Sequence, residues 1–219
     1  MIAVADYGAS NTRSVLRALR AAAEEAGGGG AAAELTSDPA VVRRAERVVL
    51  PGVGNFAPAA RRLAETGLGD AIRDAARAGR PVLGICLGLQ LFLSESEEAP
   101  GVPGLGLLAG RVKRFPAGLP VPHVGWARVA LTAAGKAHPV LVGAFRRGEG
   151  GRTDSSFFYH VHSYHPDGVA PASDLADAEY GGPFPTVVGE GNVLGVQFHP
   201  EKSQAAGLAL LREFTAWTP

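Results

Sequence analysis

Short runs at residues 2–5, 48–50 and 82–85 are apolar throughout rather than alternating, each is followed by a stretch with helical spacing, and a further short strand is expected at 32–35. Strands of this kind must be covered on both faces, and intervening helices can supply the cover. The pattern predicts an α/β fold with a mostly parallel central sheet flanked by helices. Helices are expected after the turn-forming Gly8, Ser10 and Asn11 through Ala26, from Phe56 to Ala78 and from Leu87 to Ser94, with Gly79-Arg80-Pro81 breaking the second. After about residue 100 prolines and glycines become frequent and the apolar runs shorten. This part predicts a smaller antiparallel sheet, with strands near 111–115, 127–131, 157–163, 178–180, 186–190 and 193–197, and a closing helix over 203–216.

The chain has 219 residues, 46% hydrophobic and 19% charged, enough to bury one substantial core, and a single domain over 1–219 is expected. Residues 143–156 are polar and rich in Gly and Arg, without periodicity, and are expected to form a flexible surface loop. Twenty-one basic residues balance twenty-one acidic ones, so no overall field draws the chain to nucleic acid or an anionic membrane. Nor does any apolar stretch reach the length of a spanning helix. A lone cysteine, Cys86, excludes an internal disulfide framework and agrees with a reducing cytoplasm.

That cysteine sits in Gly84-Ile85-Cys86-Leu87-Gly88, between an expected strand and an expected helix. A glycine-x-nucleophile-x-glycine turn there holds the central side chain exposed in a strained conformation. The helix N-terminus favours negative charge, and its free N–H groups can stabilise an oxyanion. An isolated cysteine is more often a small core residue; the flanking pattern turns this one into a candidate nucleophile. A general base is offered by His199-Pro200-Glu201, at the end of the 193–197 strand. Residues two apart in an extended backbone point to one side, and Pro200 holds His199 extended. An imidazole can accept the thiol proton and return it to a leaving amine, and a carboxylate fixes its tautomer.

Pro51-Gly52-Val53-Gly54-Asn55-Phe56 follows another strand, and its glycines let backbone N–H groups turn toward a carbonyl oxygen. Extended by Ala57 the stretch reads G-x-G-x-x-A, but without an opening βαβ unit and an acidic strand end it does not make a dinucleotide site, and no cofactor is expected. His160-x-His162-x-x-His165 has metal-ligand spacing without an acidic or thiol neighbour, so packing or substrate contact is expected rather than a metal.

With these motifs the sequence resembles the class I glutamine amidotransferases, marked by G-x-C-x-G-x-Q at Gly84–Gln90 and H-P-E at His199–Glu201. Among them it is most similar to the glutaminase subunits of imidazole glycerol phosphate synthase, through Asp6-Tyr7-Gly8, the Pro51–Phe56 stretch, His123-Val124-Gly125-Trp126, Val161-His162-Ser163-Tyr164 and Gln197 to Ser203. The resemblance implies a flavodoxin-like fold and hydrolysis of L-glutamine by Cys86, His199 and Glu201 through a γ-glutamyl thioester. It also implies substrate contacts at Gly52, Val53, Leu87, Gln90, Ser163 and Tyr164. The partner implied is a (β/α)8-barrel cyclase that receives the ammonia in a heterodimer, with Asn11 and Trp126 at the interface. Two positions depart from the family pattern: Ser10 stands for the second glycine of D-Y-G-x-G-N, and Ala127 for the asparagine of H-x-G-W-N. Competing readings are another glutaminase subunit of the class, a cysteine esterase or peptidase active without a partner, and a non-catalytic binding subunit.

Overall fold

A computed structural model describes residues 1–9, 11–25, 32–146 and 154–219. Five strands form the parallel part of the main sheet: β1 (Ile2–Ala5), β2 (Ala33–Thr36), β3 (Arg47–Gly52), β4 (Val82–Cys86) and β11 (Val193–Val196). The sheet runs β2-β1-β3-β4-β11 and continues without a break through the antiparallel strands β10 (Pro183–Glu190), β9 (Asp174–Glu179), β6 (His123–Leu131) and β7 (Ser155–His162). The antiparallel region therefore mostly extends the central sheet. The separate antiparallel sheet has only two strands, β5 (Arg111–Arg114) and β8 (Tyr164–Asp167). The 193–197 run, expected among the antiparallel strands, joins both patterns: β11 lies parallel to β4 on one side and antiparallel to β10 on the other.

Helices α1 (Thr12–Glu25), α6 (Pro139–Arg146) and α7 (Gln204–Ala216) pack with one face of the sheet, around Val15, Leu19, Val49, Ile85, Leu194, Leu210 and Phe214. Helices α2 (Pro39–Arg44), α3 (Phe56–Glu65), α4 (Leu68–Arg77) and α5 (Leu87–Phe92) cover the other, around Val48, Leu50, Leu63, Ile72, Val82 and Leu89. With both faces covered, β1, β4 and β11 are buried at every position, which is why their sequences are continuously apolar.

The helix expected over 56–78 is two helices, because Gly67 takes φ +72° between Glu65 and Leu68 and turns the chain. The short α2 starts with Asp38 accepting from Ala40 N at 2.8 Å and Pro39 in the first turn. Within the stretch expected as a loop, Gly143 to Arg146 close α6, while Ser155 and Ser156 open β7. Residues 147–153, like Ser10, lie outside the described residues.

Candidate active site

Three neighbouring parallel strands deliver the candidate groups from their carboxyl ends, where open α/β sheets place ligands. Gly52 ends β3, in register with Cys86 at the end of β4, and the chain leaving β11 reaches His199 and Glu201. Cys86 is a non-glycine residue at φ 55°, ψ −109°, the strained turn that the flanking glycines require. A Cβ on Gly84 would lie 2.6 Å from Phe92 Cε2, and one on Gly88 would run into the Leu50 carbonyl oxygen. Only glycine lets α5 start so close to β3 and β4.

His199 Nδ1 is 2.9 Å from Glu201 Oε1, and both side chains are fully buried. The same carboxylate oxygen accepts from Asn11 Nδ2 at 3.1 Å. The ring also interacts with the Cys86 thiol. Burial favours the neutral imidazole, but hydrogen bonding and charge from Cys86 and Glu201 outweigh it and raise the His199 pKa to about 10. Burial acts upward on Glu201; its hydrogen bond to His199, the charge there and Asn11 hold it below the usual carboxylate value. The turn is pinned from behind by Ser203, whose hydroxyl donates to His199 O at 2.6 Å and accepts from Tyr159 N at 3.0 Å.

A cavity of about 310 Å³ opens over the sulfur, and Cys86, Val53, Leu87, Gln90, Ser163 and Tyr164 all line it. Gly52 lies just behind, where a Cβ would approach Leu87 Cβ to 2.9 Å. Gly54, also on the wall, has φ +100°. Gln90 Nε2 donates to Tyr164 O at 3.1 Å and Gln197 Oε1 at 3.2 Å. Of the two expected partner-surface residues, Trp126 is 46% exposed, whereas Asn11 is buried with its amide on Glu201. Ala127, the second departure from the family pattern, is buried in the core beside Val129 and Phe158.

Two residues were missed from sequence. Glu98 lines the cavity and its carboxylate accepts from Phe56 N at 3.1 Å; it lies in the irregular stretch between α5 and β5, where periodicity gives no signal. Gln197 donates to Cys86 Sγ at 3.7 Å; a polar residue inside the apolar run before His199 was the available clue. The three spaced histidines join an aromatic cluster. His160 binds Phe158 O and Thr186 Oγ1, His162 binds Tyr164 O and His165 binds Pro166 O, with Phe115 packed against His162 and His165. Burial lowers all three pKa values, that of His160 to about 3. Among the described residues no group of three or more His, Cys, Asp or Glu is placed to hold a metal.

A strained cysteine elbow, a buried histidine–carboxylate pair and a glycine-rich loop come together around one small cavity, an arrangement that suits a cysteine amidohydrolase. The sequence pattern of the family Glutamine amidotransferase class-I matches residues 3–216. The chain is 47% identical to the imidazole glycerol phosphate synthase subunit HisH of Symbiobacterium thermophilum, covering 96% of this chain and 91% of that one. It is 44% identical to the protein of the same name from Methylococcus capsulatus, covering 100% and 97%. The chain belongs to the class I glutamine amidotransferases and, within them, to the HisH family. Solved structures share the fold at low identity: a glutamine amidotransferase at TM-score 0.69 and 18% identity, with 98% of both chains covered, and the glutaminase domain of Trypanosoma brucei CTPS at TM-score 0.66 and 16% identity, with 100% and 95% covered.

Proposed function

We propose that this chain is the glutaminase subunit of an imidazole glycerol phosphate synthase, with Cys86 as nucleophile, His199 as general base and acid, and Glu201 as the group that orients the imidazole. The observation that carries this reading is the strained Cys86 elbow opening into the same cavity as Gln90 and the Val53–Gly54 loop, with the His199–Glu201 pair behind it.

In the proposed reaction the Cys86 sulfur attacks the side-chain carbonyl carbon of glutamine, its proton having passed to His199 Nε2. The oxyanion is met by N–H groups of Leu87 and the Gly52–Val53 loop. Collapse releases ammonia, which takes the proton from His199, and leaves a γ-glutamyl thioester. Water, deprotonated by His199, then cleaves the thioester to glutamate. The Glu98 carboxylate and the Gln90 amide oxygen, on the walls of the cavity, suit the α-ammonium group of an amino acid.

The ammonia acceptor in this reading is a cyclase subunit that makes imidazole glycerol phosphate and an aminoimidazole carboxamide ribonucleotide, docked as a heterodimer in the cytoplasm. An apolar strand face beside the cavity supports a partner there. Val124 and Phe157 are each 58% exposed, Trp126 lies between them, and the neighbouring Val161 reaches the cavity wall. Exposed apolar residues grouped in this way mark an interaction surface.

The test is glutamate release by the purified chain, alone and with a cyclase subunit and its nucleotide ligand, using Cys86→Ala as the blank. Release that rises with the cyclase and disappears in Cys86→Ala supports the proposal. Equal release with and without the cyclase would send the ammonia to another acceptor.

A further inference from the structure

A chain of hydrogen bonds with fixed polarity ends on the Cys86 sulfur. Tyr164 O can only accept, so the Gln90 atom 3.1 Å away is its NH2 group. That NH2 also meets Gln197 at 3.2 Å, so Gln197 presents its oxygen there. The Gln197 NH2 group is thereby turned to Cys86 Sγ, at 3.7 Å. Gln197 is completely buried and its backbone N–H is held by Thr186 O at 2.8 Å. Water therefore cannot replace the side chain, and the side chain cannot swing away without abandoning buried partners.

We infer that Gln197 is a further catalytic residue, an amide donor that stabilises negative charge on the Cys86 sulfur and, through its oxygen, holds the Gln90 amide in the orientation that meets the substrate. The inference rests on the reading of Cys86 as nucleophile. When the thiol gives up its proton, the S–H bond breaks, an N–H bond forms on His199 Nε2, and the electron pair stays on sulfur with the Gln197 N–H pointing at it. No other reactant is needed. A neutral donor suits the place, because it favours the thiolate without competing for the proton.

The other titratable groups around the sulfur are few. His199 approaches from the turn after β11, with Glu201 behind it. The Tyr7 hydroxyl comes from the loop after β1; burial and the charge on Cys86 raise its pKa. Glu98 and His162 stand on the cavity walls, and α5 brings no charged side chain.

The experiment is the rate of iodoacetamide alkylation of Cys86 against pH, in the full chain and in Gln197→Met, followed by glutamine turnover with the cyclase. Methionine has nearly the same length and volume, carries no charge and has no donor for sulfur. The pH of half-maximal alkylation is expected to rise by about one unit, with kcat down about tenfold and KM raised, because Gln90 loses its partner as well. Gln197→Leu, a shorter apolar residue, guards against misfolding and should show the same upward shift. A folded variant with the wild-type alkylation profile would overturn the inference. So would loss of fold in both variants, which would assign Gln197 to packing. Alkylation requires neither glutamine nor a partner, so a wild-type chain that alkylates as expected yet releases no glutamate would defeat the functional reading and leave this result standing.

Discussion

Replacing Glu201 by glutamine removes one charge and almost no volume from the centre of the site. Glu201 Oε1 accepts from His199 at 2.9 Å and from Asn11 at 3.1 Å, and a glutamine oxygen in the same place can still accept both. What is lost is the charge that faces the imidazolium formed when Cys86 passes its proton to His199. The difference between a charged and a neutral partner for such a hydrogen bond is about 1–1.5 kcal/mol, corresponding to a fall in kcat of roughly 5- to 10-fold. KM should hold, because Glu201 does not line the cavity.

The pH dependence of stability gives a second reading of the same change. His199 has its folded pKa raised from 6.5 to about 10, so the stability it contributes is complete below pH 6.5 and is lost as pH rises toward 10. With less of that shift in Glu201→Gln, the stability gap between wild type and variant should close across this interval. Steady-state glutamate release with the cyclase, and urea denaturation at pH 7 and 10, measure the two effects. A kcat within twofold of wild type, or a loss confined to KM, would refute the assignment of Glu201.

Gly88→Ala puts a methyl group against the Leu50 carbonyl oxygen, which belongs to the buried β3. Strain of about 3 kcal/mol, or about 10 °C in Tm for a chain of this length, is expected in thermal denaturation, together with loss of glutaminase activity as the elbow shifts. At the far end of the sheet, burial raises the pKa of Asp174 and of its β9 neighbour Asp177, and the charge on Asp177 helps to bring Asp174 to about 7. A carboxyl whose folded pKa lies above its unfolded one costs stability as it ionises, so the chain should weaken as pH rises from about 4 through 7. Asp174→Asn should abolish that slope and gain about 1 kcal/mol at pH 8, a figure already reduced for partial exposure. Urea midpoints at pH 5 and 8 check it.

The parallel half of the fold was legible because β1, β3 and β4 are buried on both faces and so carry unbroken apolar runs. The chemistry was legible for a related reason: a strand–turn–helix elbow needs glycine on either side of Cys86, and extended backbone puts His199 and Glu201 on one side. Joining the antiparallel strands to the same sheet depends on pairing between residues far apart, such as Gly195 with Gly84, which no local pattern records. The same holds for side chains that converge from distant segments. Asn11 carried only an interface expectation, yet its amide lies on Glu201, 190 positions away. Gln197 meets Cys86 across 111. The split between α3 and α4 hangs on the conformation of Gly67, and α2 is too short for periodicity to register.

The central claim is that Cys86 forms a covalent bond to the side-chain carbonyl of glutamine. Intact-mass measurement after acid quench of the chain turning over glutamine with its cyclase tests this directly. The account predicts a single γ-glutamyl adduct that maps to Cys86, is absent in Cys86→Ala and is removed on standing with water at neutral pH. Sustained turnover with no adduct on Cys86 at any quench time, or full turnover by Cys86→Ala, would contradict it.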